Sequence, residues 1–558
     1  MLAPSPVIDT LSCNLSTNFN VIDRIFQQSF FSLEPYSNPP DHHRIRPIVQ
    51  CRCSSSRSSF SLQEDRFASR AQDFLGCAQK LQVPEEDRGL EQEKRKKKKV
   101  SPYLASLVKV LCWRSPPNFL RPRGQWRPKY PSTSSGFIVK GRKVLTCARC
   151  VDHHTEVQLK KPNSDTLYAA TVVAVALECD LAILTVSDDK FWEGVVPVEF
   201  GDLPAPGEKL AIMGFPDGKF SMITTIVSKV SMIKSSSCLA EHLGVQVDVA
   251  IVVGTPGSPV FNKRGKCVGM AFQSCKDDKS DIIAASVIDH VLQDYDKNGA
   301  YTGFPTLGIV WQNMEYPDLR LFLKMGHGQQ GILIIEVKPN YPEYEILKPN
   351  DIILSIDGIN IGNDGTVPFS QGQRMPFSYL LTQKYTGDTV DLEVLRNSEI
   401  RKYNLKLTAH KQFKPANISG RPFSHYIVAG FVFTTLSIPY LQSEYGLSLR
   451  NLSKELIWQA LYEERVVISK VLKSGTSNGY DHMDYLENAQ VLAVNGMPVQ
   501  SLKSFASIVE SCNEEFLEFI LDKPKKLVLH TASAKARTPD ILKMHNIPSA
   551  MSDDLKIC

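Results

Sequence analysis

The groups in this chain that could do chemistry together are a carboxylate, two histidines, a cysteine pair and a serine in a glycine-rich turn. Asp180 lies in Cys179-Asp180-Leu181-Ala182, at the head of an apolar run; Cys147-Ala148-Arg149-Cys150 is followed by His153 and His154; Ser258 ends Gly254-Thr255-Pro256-Gly257-Ser258. A serine hydroxyl becomes a nucleophile only when a neighbouring base, with a pKa near the working pH, takes its proton. Asp180, His153 and Ser258 are of the right types for this, and Thr255 is a poorer hydroxyl. Arg149 is no base, because arginine has no acceptor nitrogen and keeps its proton below pH about 12. Pro256 offers neither a hydroxyl nor a backbone N–H. The Cys147/Cys150 pair with nearby imidazoles invites a metal reading. A zinc site needs four converging ligands, usually two such pairs, and haem attachment needs His directly after the second Cys. Neither holds, so small thiols packed in a core are expected, with no cofactor.

These residues need a scaffold, and the pattern around them is β. Short β-branched runs separated by Gly, Pro and Asp turns recur at 135–139, 144–146, 156–159, 169–175, 181–186, 209–214, 223–233, 246–253 and 266–273. Many short strands at such spacing predict a sandwich or barrel. Val287, Val291, Leu292 and Tyr295 share one face of a helix predicted over 285–295, which would close that domain. Two weakly similar stretches follow at 331–361 and 466–499, each with two strands and a terminal Asp357-Gly358 or Asn495-Gly496 hairpin signal. The apolar run 426–436 falls short of the roughly 20 residues that span a bilayer, so it is expected as a buried strand and no transmembrane segment is predicted.

With 558 residues the chain is too long for one core, and 42 % hydrophobic with 22 % charged residues is an ordinary globular composition. The net charge of +5 is misleading, since the run at 94–99 supplies six positive charges, and without it 58 basic residues face 59 acidic ones. Nucleic acid is therefore not an expected partner. The first sixty residues are Ser-rich, with five Arg, no Lys and only Asp9, Asp23, Glu34 and Asp41 as acids; Ile22, Ile25, Phe26, Phe30 and Leu33 fall at helical spacing beside Arg24. That composition is expected to be a transit peptide over 1–60, followed by a disordered basic linker over 61–100. The amphipathic stretch points to the mitochondrion, with the chloroplast as alternative and the nucleus, through the lysine run, behind both. Thirteen scattered cysteines suit a reducing interior.

The motifs together resemble a known family. Ser134-Ser135-Gly136-Phe137-Ile138-Val139, Val144-Leu145-Thr146, Cys179-Asp180-Leu181-Ala182-Ile183-Leu184 and residues 254–259 look like the Do-like (Deg/HtrA) serine proteases, most closely their plant organellar branch. The similarity runs over about 101–555 and includes Phe191-Trp192-Glu193-Gly194 and Tyr301-Thr302-Gly303-Phe304-Pro305, outside any catalytic motif. The resemblance implies a mostly β protein: a chymotrypsin-like double β-barrel over 101–300, PDZ domains over 301–410 and 411–530, and a C-terminal tail over 531–558. It also implies ATP-independent endopeptidase or chaperone activity on unfolded or C-terminal peptide segments, in trimer-based homo-oligomers or hetero-oligomers with active homologues.

The same resemblance assigns the site positions. The family's Thr-Asn-Ala-His block matches 146–149, which puts Arg149 at the histidine position; its Gly-Asn-Ser-Gly-Gly-Pro matches 254–259, which puts Pro256 at the serine position; Asp180 keeps the acid. Losing nucleophile or base alone costs about 10⁶-fold in a comparable triad, where the remaining activity leans on the oxyanion hole. Pro256 would remove one donor of that hole as well. Rebuilding a triad from His153 and Ser258 needs a distorted loop, because a shift of two residues moves a side chain roughly 6–7 Å. Two arrangements are open for the acid: Arg149 pairs with Asp180, or Asp180 is a turn residue with Arg149 in solvent. Thr306-Leu307-Gly308-Ile309 resembles the PDZ carboxylate loop, so Leu307, Gly308 and Ile309 are the expected peptide-binding residues.

Overall fold

The computed structural model describes residues 103–556 apart from 120–126, 163, 235–240, 276–277, 340, 371, 410–422, 446–451, 454–455, 457–458, 461–462 and 474–482. The expected transit peptide and basic linker lie outside the described residues.

The first half of the described chain is built from strands in antiparallel order. Strands β1 (Leu107–Arg114), β2 (Tyr130–Val139), β3 (Lys143–Cys147), β4 (His154–Lys160), β5 (Leu167–Ala169), β6 (Thr171–Ala176) and β7 (Leu181–Thr185) make one sheet in the order β5-β4-β1-β2-β3-β7-β6. Strands β8 (Lys209–Gly214), β9 (Ser221–Lys234), β10 (Glu241–Val247), β11 (Pro259–Phe261), β12 (Cys267–Ser274) and β13 (Ser280–Ala284) close into a barrel. Successive side chains of a strand point to opposite faces. Val144, Ala182 and Leu184 accordingly fill a core inside the first sheet with Val108, Val110 and Leu159, while Leu145, Leu181 and Ile183 face a second core. That second core joins them to Met213, Phe215, Phe272 and Ile283 of the closed barrel. Apolar residues on both faces explain why these strands read as continuous runs. The predicted closing helix is present as Ala285–Asn298 and ends at Gly299, whose φ is +69°.

Two modules follow. The first is a six-stranded sheet whose outer strand is Ile309–Asn313, and the second is seven-stranded with His425–Val428 outermost. The first docks on the barrel domain through His290, whose ring stacks on Phe304 at 4.6 Å and on Tyr385 at 4.1 Å. The Tyr385 hydroxyl also donates to Gln293 Oε1 at 3.0 Å.

Two expectations need correction. The run 426–436 is not one strand but a hairpin of His425–Val428 and Phe431–Thr435. Its turn puts Ala429 at φ +49° beside Gly430, a left-handed pair without the Asn or Asp that signals such a turn in sequence. The segment expected as a C-terminal tail carries the helix Thr531–Met544, which buries Ala534, Thr538 and Ile541 on the second module. Beyond it the Ile427 N–H donates to the Ala550 carbonyl at 2.7 Å and the Ser552 N–H to that of His425 at 3.0 Å. No helix among the described residues is long and apolar enough to cross a membrane.

Candidate active site and peptide-binding loop

Register brings Arg149 and Asp180 together. Strands β3 and β7 pair with Cys147 opposite Leu181, and the Ala148 N–H extends the ladder to the Asp180 carbonyl at 2.9 Å. Beyond that point β3 turns into a short helical turn, Ala148–Cys150, while Asp180, at φ +52°, closes the turn Leu177–Cys179 that precedes β7. Asp180 Oδ2 then accepts from Arg149 Nε at 2.6 Å, and Oδ1 accepts from the Arg149 backbone N–H at 2.8 Å. Of the two arrangements open in the sequence, the structure has the ion pair. Asp180 is only 2 % exposed, whereas the Arg149 side chain keeps 33 %. The guanidinium lies 4.6 Å from the centre of the Phe272 ring, a cation–π placement. Burial works against its charge, but the Asp180 carboxylate outweighs burial and raises the arginine above its ordinary value.

The glycine-rich loop is tied down by Ser135. The Ser135 hydroxyl donates to the Gly254 carbonyl at 2.7 Å and accepts from the Phe215 N–H at 2.8 Å, and the Ser135 N–H donates to the Pro256 carbonyl at 3.3 Å. Gly257 has φ +89°, and a Cβ there would stand 2.1 Å from the Ser135 carbonyl oxygen, so only glycine fits. Thr255 and Ser258 are 1 % and 0 % exposed, and neither hydroxyl finds a hydrogen-bond partner among the described residues.

His153 is elsewhere in its allegiance. Its Nε2 lies 3.4 Å from Asp152 Oδ2, its Nδ1 has no partner among the described residues, and burial lowers its pKa. Asp180, His153 and Ser258 therefore form no relay: both carboxylate oxygens of Asp180 are held by Arg149, and the buried Ser258 hydroxyl reaches no base. The Cys147 and Cys150 thiols are both free and buried. Burial raises Cys147, while the hydrogen bond from Cys147 lowers Cys150 to about 7. Among the described residues no three His, Cys, Asp or Glu side chains converge as metal ligands would. What the arrangement offers is a buried carboxylate compensated by a guanidinium.

In the first module Leu307 is buried, Gly308 follows it, and Ile309 opens the outer strand. The Gly308 carbonyl accepts from the Lys338 N–H at 2.7 Å. Sequence reasoning missed Ser135 and Phe272, which no residue-type signal set apart, and it missed Glu343, whose carboxylate accepts from the Gly308 N–H.

Comparison with known proteins agrees with this architecture. Residues 134–270 match the profile of a trypsin-like peptidase domain, and 305–407 and 415–554 match PDZ domain profiles. The chain is 34 % identical over 463 residues to Protease Do-like 2, chloroplastic, of Arabidopsis thaliana, covering 81 % of this chain and 76 % of that protein. It is 37 % identical over 455 residues to Protease Do-like 4, mitochondrial, of the same plant, covering 80 % of this chain and 85 % of that protein. Among solved structures, the HtrA-type protease AlgW with decapeptide aligns with a TM-score of 0.44 and 18 % identity, over 55 % of this chain and 97 % of that one. With its trypsin-like domain, its two PDZ domains and relatives of this identity and coverage, the chain belongs to the plant Do-like (Deg/HtrA) protease family.

Proposed function

We propose that this chain is a proteolytically inactive member of its family that binds peptide or protein segments through its PDZ modules. The observation that carries this reading is the Arg149–Asp180 pair. Arg149 stands where the resemblance puts the general base, it cannot accept a proton, and it holds the acid that would orient one. Pro256 at the nucleophile position and the enclosed Ser258 hydroxyl support it further. Binding needs main-chain geometry and no catalytic side chain, so it outlasts the loss of the triad.

A fluorophosphonate probe and an unfolded-casein assay test this directly. The expected result is neither labelling nor turnover in the natural chain, with labelling at position 256 appearing only when Arg149→His and Pro256→Ser are combined. Labelling of Ser258 in the natural chain would overturn the proposal in favour of an active endopeptidase with a shifted triad.

The address and assembly are proposed on the same footing. The relatives include mitochondrial and chloroplastic proteins, and the amphipathic leader favours the mitochondrion. Import of a fluorescent fusion of residues 1–100 into chloroplasts or nuclei instead would reverse that choice. Trimer-based assembly, alone or with active homologues, follows from the family resemblance, and a monomer in sedimentation with and without those homologues would count against it.

A further inference from the structure

In the PDZ mode of binding, an extended peptide adds as a strand to a free sheet edge, and backbone N–H groups at the head of that edge hold its terminal carboxylate. The first module has the edge. Strand Ile309–Asn313 is outermost in its sheet, with Val310 at 40 % and Trp311 at 36 % exposure, and Trp311 packs edge-on against Phe377 with ring centres 5.4 Å apart. At the head of the edge, however, the Gly308 N–H is already engaged: it donates to Oε1 of Glu343. Glu343 is 2 % exposed, on the short turn Pro342–Glu345 that follows the next strand, and no ion pair reaches it among the described residues. Tyr341 packs so closely on Gly308 that a Cβ at Gly308 would lie 2.2 Å from its ring, which keeps the turn in place.

We infer that the first module takes extended segments that lack a free carboxylate end, because Glu343 supplies the carboxylate of the binding loop from within the chain. The inference rests on the peptide-binding reading above and names the kind of segment that reading admits. A peptide ending in a free carboxylate would bring a second negative charge to a buried donor already in use, and like charges in one small site repel. An internal stretch or an amide end brings no such charge and still pairs along Ile309–Asn313. Unfolded loops, rather than exposed C-termini, are then the natural partners.

The test uses the full chain and a fluorescein-labelled pool of dodecapeptides with alternating β-branched and polar residues, made as free acid, as C-terminal amide, and with four Gly/Ser residues appended. Fluorescence anisotropy should give the natural chain the same affinity for the amide and the extended form, and no better affinity for the acid. Glu343→Ala frees the Gly308 donor and should shift preference toward the acid by at least about tenfold, the worth of one charge-assisted hydrogen bond. Glu343→Gln removes the repelling charge but keeps an acceptor on the Gly308 N–H, and should shift the preference toward the acid by less than Glu343→Ala does; a shift as large as that of Glu343→Ala would show that occupation of the donor plays no part. A tenfold preference of the natural chain for the free acid overturns the inference without any variant having to fold. Failure of all three peptide forms to bind either the natural chain or Glu343→Ala overturns the parent reading, and this inference with it.

Discussion

The barrel domain and the first module each bury a carboxylate against a loop N–H, and they treat it differently. Asp180 and Glu343 are equally enclosed, at 2 % exposure, and each accepts from a loop backbone amide, of Arg149 and of Gly308. Asp180 also has the Arg149 guanidinium, whereas Glu343 has no cation among the described residues. Burying a charge is costly unless it is paired, so the first acid is locked in its site while the second is held by neutral donors alone. Burial accordingly lifts Glu343 above the ordinary glutamate range, against the partly offsetting backbone amides of Gly308 and of Glu343 itself. Equal burial is compensated by a cation in one place and by backbone donors alone in the other.

Removing the cation should have the largest effect on this contrast. Arg149→Met leaves Asp180 enclosed and unpaired, a change that costs about 3–5 kcal/mol for a fully buried pair. Because a third of Arg149 meets solvent, the low end, about 3 kcal/mol, is expected in the barrel's thermal unfolding transition. A loss below about 1 kcal/mol would mean that Asp180 needs no partner, and the two sites would no longer differ. Asp180→Asn should cost less, about 1–2 kcal/mol, since the orphaned guanidinium can turn to water.

A smaller effect is expected at Glu343 and shows in pH dependence. Its proton is held to higher pH in the folded than in the unfolded chain, so the stability it contributes is complete below the ordinary glutamate pKa of about 4.3 and is lost as pH rises through the raised value. Glu343→Gln should flatten that decline in the module's thermal midpoint. Identical pH profiles for the natural and substituted chains would show that Glu343 is compensated after all, and would erase the comparison.

The β architecture and the place of the acid were legible because they leave marks in residue type. Repeated β-branched runs announce strands, and a carboxylate heading Leu181-Ala182-Ile183 announces a strand start. Whether Arg149 met Asp180 depended on the β3/β7 register, which runs between segments some thirty residues apart and leaves no local signature. The Ala429 hairpin was hidden because alanine is an unusual occupant of a left-handed turn. Glu343 was invisible for a different reason: its partner is a main-chain N–H, 35 residues upstream, and a backbone donor has no letter in the sequence.

The module sheets have four outer strands, Ile309–Asn313, Glu399–Lys406, His425–Val428 and Lys526–His530, and three of them carry different risks of unwanted association. Glu399–Lys406 is studded with charge at Glu399, Arg401, Lys402 and Lys406, which discourages another strand from docking, and His425–Val428 is shielded by residues 550–552 of its own chain. Ile309–Asn313 has no charged side chain and, among the described residues, no strand paired on its outer side. A foreign β-strand can add to such an edge, so the edge proposed above to take peptide is also one through which crowded or heated chains can aggregate.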